Sequence, residues 1–295
     1  MIRNSNNKMT NCHKANHNKN TSKDPKAVKM YGQHFLIDQD ILDEIVEEAE
    51  LSTQDIVVEI GPGKGALTTR LCKQAGKVIT FEIDLRMVEY LTETLNEYDN
   101  LAIYHEDILK MDLEEVFETV INDDKRRVKI IANIPYYITT PILEWIFKFE
   151  HLIDLAIIMV QFEVAQKIVA KPATDMYGVL SIKSQYTANV EKIIDVPKYC
   201  FDPVPEVDSA VVRFDMKHDY TIDKEDFFEL VDASFKQRRK NLKNSFKSSV
   251  LFSKNPELIL AMLDESEIDG LRRAESLSIE EFFQLFKAYK TVINQ

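Results

Sequence analysis

Three of the chain's 7 glycines fall within five positions, in the segment VEIGPGKGALT at 58–68. Glycine lets a backbone turn tightly and lets a ligand lie against it. Gly61, Gly63 and Gly65 follow an apolar run that predicts a strand, and a helix is predicted to begin near Ala66. This order of strand, glycine turn and helix is typical of nucleotide-binding enzymes, although many structural turns also contain glycine.

Two acidic residues follow at positions where an adenosine ligand could use them. Glu82 stands 21 residues after Gly61, at the end of the second strand-like run, where a carboxylate can accept both ribose hydroxyls. Asp107 follows the third run, where a carboxylate can accept the adenine amino group. Ligands of open α/β sheets bind outside the carboxyl ends of the strands. Together these features predict a cofactor that is either NAD or S-adenosylmethionine.

The segment NIPYY at 133–137 distinguishes between these two cofactors. An Asn-x-Pro-aromatic turn presents the side-chain oxygen of Asn133, a backbone carbonyl and the aromatic face of Tyr136 together. That set matches a planar ring with an exocyclic amine, because it offers two acceptors for the N–H groups and a surface for stacking. Hydride transfer needs none of these groups, so the turn favours methyl transfer from S-adenosylmethionine.

The elements that must position these residues alternate between apolar runs and helical stretches from Tyr31 to about Phe214. Five strand-like runs are Ile56–Ile60, Lys77–Ile83, Leu101–His105, Val128–Ala132 and Leu155–Val160. This alternation predicts an α/β, Rossmann-like domain with a mostly parallel sheet covered on both faces. Two later runs, Glu191–Val196 and Ser209–Phe214, are expected to complete a seven-stranded sheet as an antiparallel pair.

The composition divides the chain into three parts. Residues 1–30 contain seven basic residues and one acid and have no apolar period, which predicts a disordered basic tail. We expect the methyltransferase domain at 31–217. Strand-like runs stop after about residue 218, so 218–295 is predicted to be a small helical, RNA-binding domain.

Charge distribution points to RNA despite a net charge of −12. The basic block, which we define as FKQRRKNLKNSFK at 235–247, contains six cations and no acid. Screening confines each charge to roughly 8 Å, so an acidic protein can bind RNA locally. We interpret RRKNLKNSF as a basic helix and expect Arg238, Arg239, Lys240 and Lys243 to contact RNA.

Three classes of protein are disfavoured by the sequence. The cysteines are widely separated, which argues against a disulfide framework and a zinc site, and we expect no metal. The longest apolar run, Leu155–Val160, is too short to span a membrane. No apolar segment follows the basic residues of the tail, as a secretory signal would require. We therefore expect a cytoplasmic protein, as a monomer.

Five segments of the chain resemble the KsgA-type ribosomal RNA adenine dimethyltransferases. They are GQHFL (32–36), VEIGPGKGALT (58–68), NIPYYITTPI (133–142), FDPVPEVDSAVV (201–212) and FKQRRKNLKNSF (235–246). The resemblance implies dimethylation of N6 of two adjacent adenines in the loop near the 3′ end of small-subunit rRNA, with S-adenosylmethionine as methyl donor. The implied partner is small-subunit rRNA or the pre-30S particle.

The resemblance also implies the residues that bind the cofactor and the target base. The implied cofactor-binding residues are Gln33, His34, Leu36, Gly61, Gly63, Glu82, Asp107 and Asn133. The first three would line the methionine end, the glycines would touch the methionine, and the two acids would bind the ribose and the adenine. Asn133 would contact both cofactor and target amine, and Tyr136 and Phe201 would hold the flipped base. His34 stands where asparagine is common in the family.

Three alternatives remain open from the sequence. The first is a methyltransferase for a different adenine, in large-subunit rRNA as in the macrolide-resistance branch, or in DNA. The second is a ribosome-assembly or transcription factor of the same fold that does not depend on methyl transfer. The third, an NAD oxidoreductase, is disfavoured because GPGKG lacks the GxGxxG spacing.

Overall fold

The computed structural model describes residues 24–28, 31–120, 128–218 and 221–294. Most of the predicted disordered tail, residues 1–23 with 29–30, therefore lies outside the described residues. The strands are β1 (Phe35–Leu36), β2 (Ile56–Ile60), β3 (Lys77–Glu82), β4 (Leu101–His105), β5 (Val128–Asn133), β6 (Ile153–Gln161), β7 (Ala188–Val196), β8 (Phe201–Asp202) and β9 (Ser209–Met216). The α-helices are α1 (Gln39–Glu48), α2 (Ala66–Gln74), α3 (Leu85–Thr94), α4 (Leu113–Val120), α5 (Thr139–Lys148), α6 (Phe162–Ile168), α7 (Val179–Thr187), α8 (Lys224–Phe235), α9 (Leu242–Lys247), α10 (Leu258–Glu265) and α11 (Ile279–Ile293).

Seven strands form one sheet in the order β4-β3-β2-β5-β6-β9-β7. Strands β2 to β6 pair in parallel, whereas β9 is antiparallel to both β6 and β7. Every residue of β2 is buried, as expected for a strand covered by helices on both faces. The predicted mostly parallel, seven-stranded sheet with an antiparallel pair is confirmed.

The strand register brings the predicted site residues to one edge of the sheet. Ile60, the last residue of β2, lies opposite Phe81 of β3 and Ala132 of β5. Glu82 lies opposite His105, the last residue of β4. The turns that follow β2, β3, β4 and β5 therefore leave the sheet side by side, at the edge where α/β proteins bind ligands.

A two-stranded ribbon joins two distant segments of the chain. Strand β1 pairs antiparallel with β8, so Phe35 lies opposite Asp202 and Leu36 opposite Phe201. The ribbon lies outside the seven-stranded sheet and was not predicted, because two-residue strands carry no detectable alternation. It connects GQHFL directly to FDPVP.

Helix α7 and the last four helices, α8 to α11, enclose a separate apolar core. Tyr186 of α7 lies 5.0 Å from Phe227 of α8 and 6.0 Å from Phe283 of α11, measured between ring centroids. Helical structure after residue 221 agrees with the predicted type of element, but the packing also includes residues before 218. The domain boundary at 217/218 therefore stays a prediction.

The basic block is not the single helix that we predicted. Helix α8 ends at Phe235, residues 236–240 form a turn, and α9 begins at Leu242. Asn241 starts this second helix, because its side chain accepts a hydrogen bond from the Asn244 N–H at 3.0 Å. Leu242 is completely buried, which fixes the direction of α9.

Candidate active site

A cavity of about 490 Å³ opens at the carboxyl ends of the parallel strands. It brings together residues as distant in the chain as Tyr31 and Val211. All ten residues predicted for cofactor and target base line it: Gln33, His34, Leu36, Gly61, Gly63, Glu82, Asp107, Asn133, Tyr136 and Phe201. The structure thus brings these residues together at one cavity, and their individual roles stay predictions.

The glycine loop has the conformation that its composition predicts. Gly61, Gly63 and Gly65 have φ values of +68°, +54° and +78°, in the left-handed region that disfavours other residues. A Cβ on Gly63 would lie 3.0 Å from the ring of Phe35. A Cβ on Gly65 would lie 2.6 Å from the side chain of Leu91. Neighbouring side chains of the protein therefore favour glycine at these two positions, whether or not a ligand also approaches the loop.

Glu82 is a buried carboxylate with both oxygens held by backbone donors. The Gly63 N–H donates to Oε2 at 3.2 Å, and the Asp84 N–H donates to Oε1 at 2.9 Å. Burial raises the pKa of Glu82 above its ordinary value, and these two hydrogen bonds oppose the rise. The carboxylate thus faces the cavity from a fixed position.

Asp84 connects Glu82 to Gln33 and to the start of α3. The Gln33 side chain donates to Asp84 Oδ2 at 3.0 Å, and Arg86 Nε donates to Asp84 Oδ1 at 2.9 Å. Burial would raise the pKa of Asp84, but the hydrogen bonds from Arg86 and Gln33 outweigh it and hold the pKa below its ordinary value. The network fixes the side chain of Gln33 at the border of the cavity.

Glu59 is a cavity residue that sequence reasoning missed. It lies within β2, is 1% exposed, and accepts a hydrogen bond from the Thr68 hydroxyl at 2.7 Å. Burial raises its pKa to about 8, and the nearby charge of Glu82 adds to the rise. A single carboxylate inside an otherwise apolar strand was the signal that could have identified it.

Asp107 and Asn133 lie at the ends of β4 and β5. Asp107 Oδ1 accepts a hydrogen bond from the Leu109 N–H at 3.1 Å, and its carboxylate lies 3.5 Å from Lys110 Nζ. No hydrogen bond of the Asn133 side chain is recorded with any other described residue. Its amide is therefore available to a ligand.

Three aromatic residues form the wall of the cavity beyond Asn133. The Tyr136 hydroxyl lies 2.8 Å from the hydroxyl of Ser209, the buried first residue of β9, which fixes the ring. The His34 ring is nearly parallel to Tyr136, at 17° and 6.0 Å between centroids. His34 Nδ1 lies 2.7 Å from the Pro203 carbonyl and must donate to it. Phe201 lines the cavity from β8 and is 2% exposed.

The four predicted RNA-contact residues of the basic block differ in their surroundings. Arg238 donates to the carbonyls of Asp175 and Tyr177 and lies 3.4 Å from Glu275. Arg239 and Lys240 are exposed, and Lys243 is half-buried. For these three residues the structure records no ion pair within the described part of the chain. Arg238 thus connects parts of the protein, whereas the other three are available to a ligand.

Two further features concern metals and membranes. Within residues 24–28, 31–120, 128–218 and 221–294, no group of three or more His, Cys, Asp or Glu residues could hold a metal ion. None of the helices described here has the length and apolar character needed to cross a bilayer.

Comparison with known proteins identifies the family. The family model for ribosomal RNA adenine dimethylase matches residues 25–291. Ribosomal RNA small subunit methyltransferase A of Bacillus mycoides (strain KBAB4) is 44% identical over 264 residues, which is 88% of this chain and 90% of that protein. Bacillus thuringiensis (strain Al Hakam) has a protein of the same name with the same identity and coverage.

Solved structures give the same assignment. A dimethyladenosine transferase from Plasmodium falciparum superposes with a TM-score of 0.77 at 28% identity, covering 88% of this chain and 98% of that one. The 23S rRNA methyltransferase ErmE superposes with a TM-score of 0.65 at 27% identity, covering 87% and 99%. The predicted Rossmann-like fold and the choice of S-adenosylmethionine over NAD are thereby confirmed. The chain belongs to the ribosomal RNA adenine dimethylase family of S-adenosylmethionine-dependent methyltransferases.

Proposed function

We propose that the protein transfers methyl groups from S-adenosylmethionine to N6 of two adjacent adenines in the loop near the 3′ end of small-subunit rRNA. The observation that carries this proposal is the turn from Asn133 to Tyr136, which opens into the same cavity as Glu82 and Asp107. An amine-binding turn beside an adenosine-binding edge suits methyl transfer to a base. The small-subunit target is supported by the names of the relatives at 44% identity.

The side chains around the cavity fit the cofactor chemically. S-adenosylmethionine presents hydrogen-bond donors on its adenine, ribose and ammonium groups, and the cavity offers the carboxylates of Glu82 and Asp107. The N-terminus of α2 provides positive charge for the cofactor's carboxylate. When bound, the cofactor supplies a methyl group already activated by a sulfonium. The protein therefore has to supply position and electrostatics rather than a strong base.

Asn133 and Ile134 would orient the target amine. The N6 lone pair of adenine is delocalised into the ring, so the amine is a poor nucleophile. If the Asn133 side-chain oxygen and the Ile134 carbonyl accept its two protons, the nitrogen becomes pyramidal and its lone pair points towards the methyl group. The lack of a recorded hydrogen bond between the Asn133 side chain and the other described residues supports this role.

The aromatic wall would hold the target base. Stacking on an aromatic side chain contributes about 1–3 kcal/mol per base. Tyr136 can provide this surface because Ser209 fixes its hydroxyl at 2.8 Å, and Phe201 can provide a second surface from β8. His34 is close enough to Tyr136 to border the same base, so we assign it to the target side as well as to the predicted cofactor side. An adenine in folded RNA must leave its stack to reach this wall.

The basic block would bind the phosphates of the RNA. The side chains of Arg239, Lys240 and Lys243 have no ion-pair partner among the described residues, and counterion release favours their binding to phosphates. Arg238 keeps its place as a predicted RNA contact, although its bonds to Asp175 and Glu275 also give it a structural role.

We further propose that the protein is a monomer and acts in the cytoplasm on small-subunit rRNA or the pre-30S particle. Its proposed domains are 31–217 and 218–295.

Mapping of N6,N6-dimethyladenine in rRNA tests the proposal directly. Cells that lack the gene should lose both modified adenines of the small subunit, and the natural gene should restore them. A gene carrying Asn133→Ala should restore protein levels but not the modification. Loss of a methyl mark from the large subunit instead would favour the macrolide-resistance type. Retention of all marks would favour an assembly factor.

A further inference from the structure

Residues 24–28, which we call the N-terminal clamp, contact the side chains of three residues around the cofactor side of the cavity. Asp24 lies 2.8 Å from Lys64 Nζ, and Lys64 belongs to the glycine loop. The Val28 N–H donates to Gln33 Oε1 at 2.9 Å. The carbonyl of Lys26 accepts a 3.4 Å hydrogen bond from Arg86, at the start of α3. The composition had assigned these residues to the disordered tail.

These contacts do not belong to an apolar core. Every residue of the clamp is exposed or half-buried, and none is a member of the buried clusters of the protein. Two of these three side chains, Lys64 and Gln33, line the cavity, and the third, that of Arg86, follows Glu82 closely in the chain. Tyr31, whose N–H donates to the Val28 carbonyl at 3.0 Å, lines the cavity as well. The segment is therefore held by the border of the cofactor site, and not by hydrophobic packing.

A relay of hydrogen bonds links the clamp to the ribose-binding position. The Gln33 side chain accepts from Val28 through Oε1 and donates to Asp84 through Nε2. The Asp84 N–H then donates to Glu82 Oε1. Loss of the clamp would leave one end of Gln33 without its partner, so the orientation of Asp84 and Glu82 would be less restricted.

We propose that residues 24–28 are a part of the cofactor-binding site that slows release of S-adenosylmethionine. The clamp connects the glycine loop, Gln33 and α3, which are the elements around the bound nucleoside and methionine under the function proposed above, on which this inference rests. Asp24 and the Val28 N–H are positioning groups, because they act through Lys64 and Gln33.

The ion pair can be tested in the full chain by calorimetric titration with S-adenosylmethionine. Asp24→Asn should raise the Kd about 1.5- to 5-fold, the range expected for an exposed pair. Adding Asp24→Asn to Lys64→Gln should cause no further loss, because the pair is already broken. The matched control is Asp232→Asn, which breaks the exposed Lys183–Asp232 pair of 2.9 Å and should leave the Kd unchanged.

The backbone contact can be tested with a proline. Val28→Pro removes the N–H that binds Gln33 and should raise the cofactor dissociation rate about 2- to 10-fold in stopped-flow measurements. The KM for S-adenosylmethionine should rise while kcat at saturating cofactor stays unchanged. Val28→Ala is the matched comparison, because it keeps the N–H that donates to Gln33 and should raise the dissociation rate less than Val28→Pro does.

The outcomes separate this inference from the proposed function. Normal Kd and dissociation rate in both Asp24→Asn and Val28→Pro would overturn the clamp and leave the methyltransferase assignment intact. Failure of the unaltered chain to bind S-adenosylmethionine would overturn the proposed function, and the clamp with it.

Discussion

The cavity at the strand ends and the basic block at 235–247 have opposite charge and are built differently. The cavity gathers the carboxylates of Glu82 and Asp107, which suits a cofactor that presents hydrogen-bond donors. The block exposes cations at a turn, which suits phosphates. The net charge of −12 belongs to the whole chain and describes neither local environment, so it does not contradict RNA binding at the block.

The two regions also differ in how firmly their residues are held. Glu82 accepts two backbone hydrogen bonds and Tyr136 is fixed by Ser209, so small displacements in the cavity should affect the reaction strongly. Of the four predicted RNA contacts in the block, only Arg238 makes several side-chain interactions with the described part of the protein. We expect substitutions in the cavity to lower the methylation rate. Substitutions in the block should instead weaken RNA binding and change its dependence on salt.

The largest effect is expected from Asn133→Ala. Loss of an acceptor that orients the amine should lower the single-turnover methylation rate on small-subunit particles by about 10²- to 10³-fold. RNA affinity should change little, because phosphate contacts dominate it. Asn189→Ala, at an exposed position of β7, is the control. A near-normal rate in Asn133→Ala would favour a binding or assembly role.

Substitution of the aromatic wall should have the next largest effect. Tyr136→Ala should lose about 1–3 kcal/mol of transition-state stabilisation through stacking, measured as kcat/KM. Tyr136→Phe keeps the ring and should lose less, by an amount that reports the hydrogen bond to Ser209. Phe201→Ala should also lower thermal stability, because Phe201 is buried. Additive losses in the Tyr136/Phe201 double variant would contradict a shared base.

Neutralising the basic block should have a moderate effect that depends on salt. Replacing Arg239, Lys240 and Lys243 with glutamine should weaken RNA binding about tenfold at low salt. It should also reduce the slope of log affinity against log salt, by up to about 0.9 for each phosphate that the protein no longer neutralises. Cofactor binding should be unaffected. Arg238→Gln is the comparison. Because Arg238 binds other parts of the protein, this variant should lower the melting temperature, and it should change the salt slope less than the triple variant does. An unchanged slope in the triple variant would make the block a solvated face.

The smallest effect is expected from Glu59→Gln, and it concerns stability. The folded pKa of about 8 is above the ordinary value of 4.5, so between these pH values the folded state binds more protons than the unfolded state. Stability should therefore fall as pH rises through this window. Removing the charge should raise the melting temperature at pH 9 by about 2–4 °C and have little effect at pH 5. Glu89→Gln, at an exposed position of α3, should show no such pH dependence.

The sequence by itself determined the type of fold and the position of the site. Runs of β-branched residues separated by helical stretches predict a parallel sheet. The glycine loop, Glu82, Asp107 and NIPYY each stand at the end of a strand or directly after one. These signals are local, because strand ends, turns and helix starts depend on neighbouring residues. Parallel pairing then necessarily brings the carboxyl ends of neighbouring strands together, so the cavity residues at the strand ends could be predicted without coordinates. Glu59 was missed, and Gln33, His34, Leu36 and Phe201 were expected only from the family resemblance.

Only the tertiary structure decided how those residues are held. His34 meets Pro203 across 169 positions and Tyr136 meets Ser209 across 73, and no period in the sequence marks either pair. The contacts of Arg238 with Asp175 and of Asp24 with Lys64 likewise depend on partners that are distant in the chain. The composition of a segment indicates whether it has enough apolar residues to form a core. It does not indicate which polar contacts an exposed segment makes, because those depend on where the fold places the partner residues. For that reason the chemistry of the site was readable from the chain, whereas its geometry required the fold.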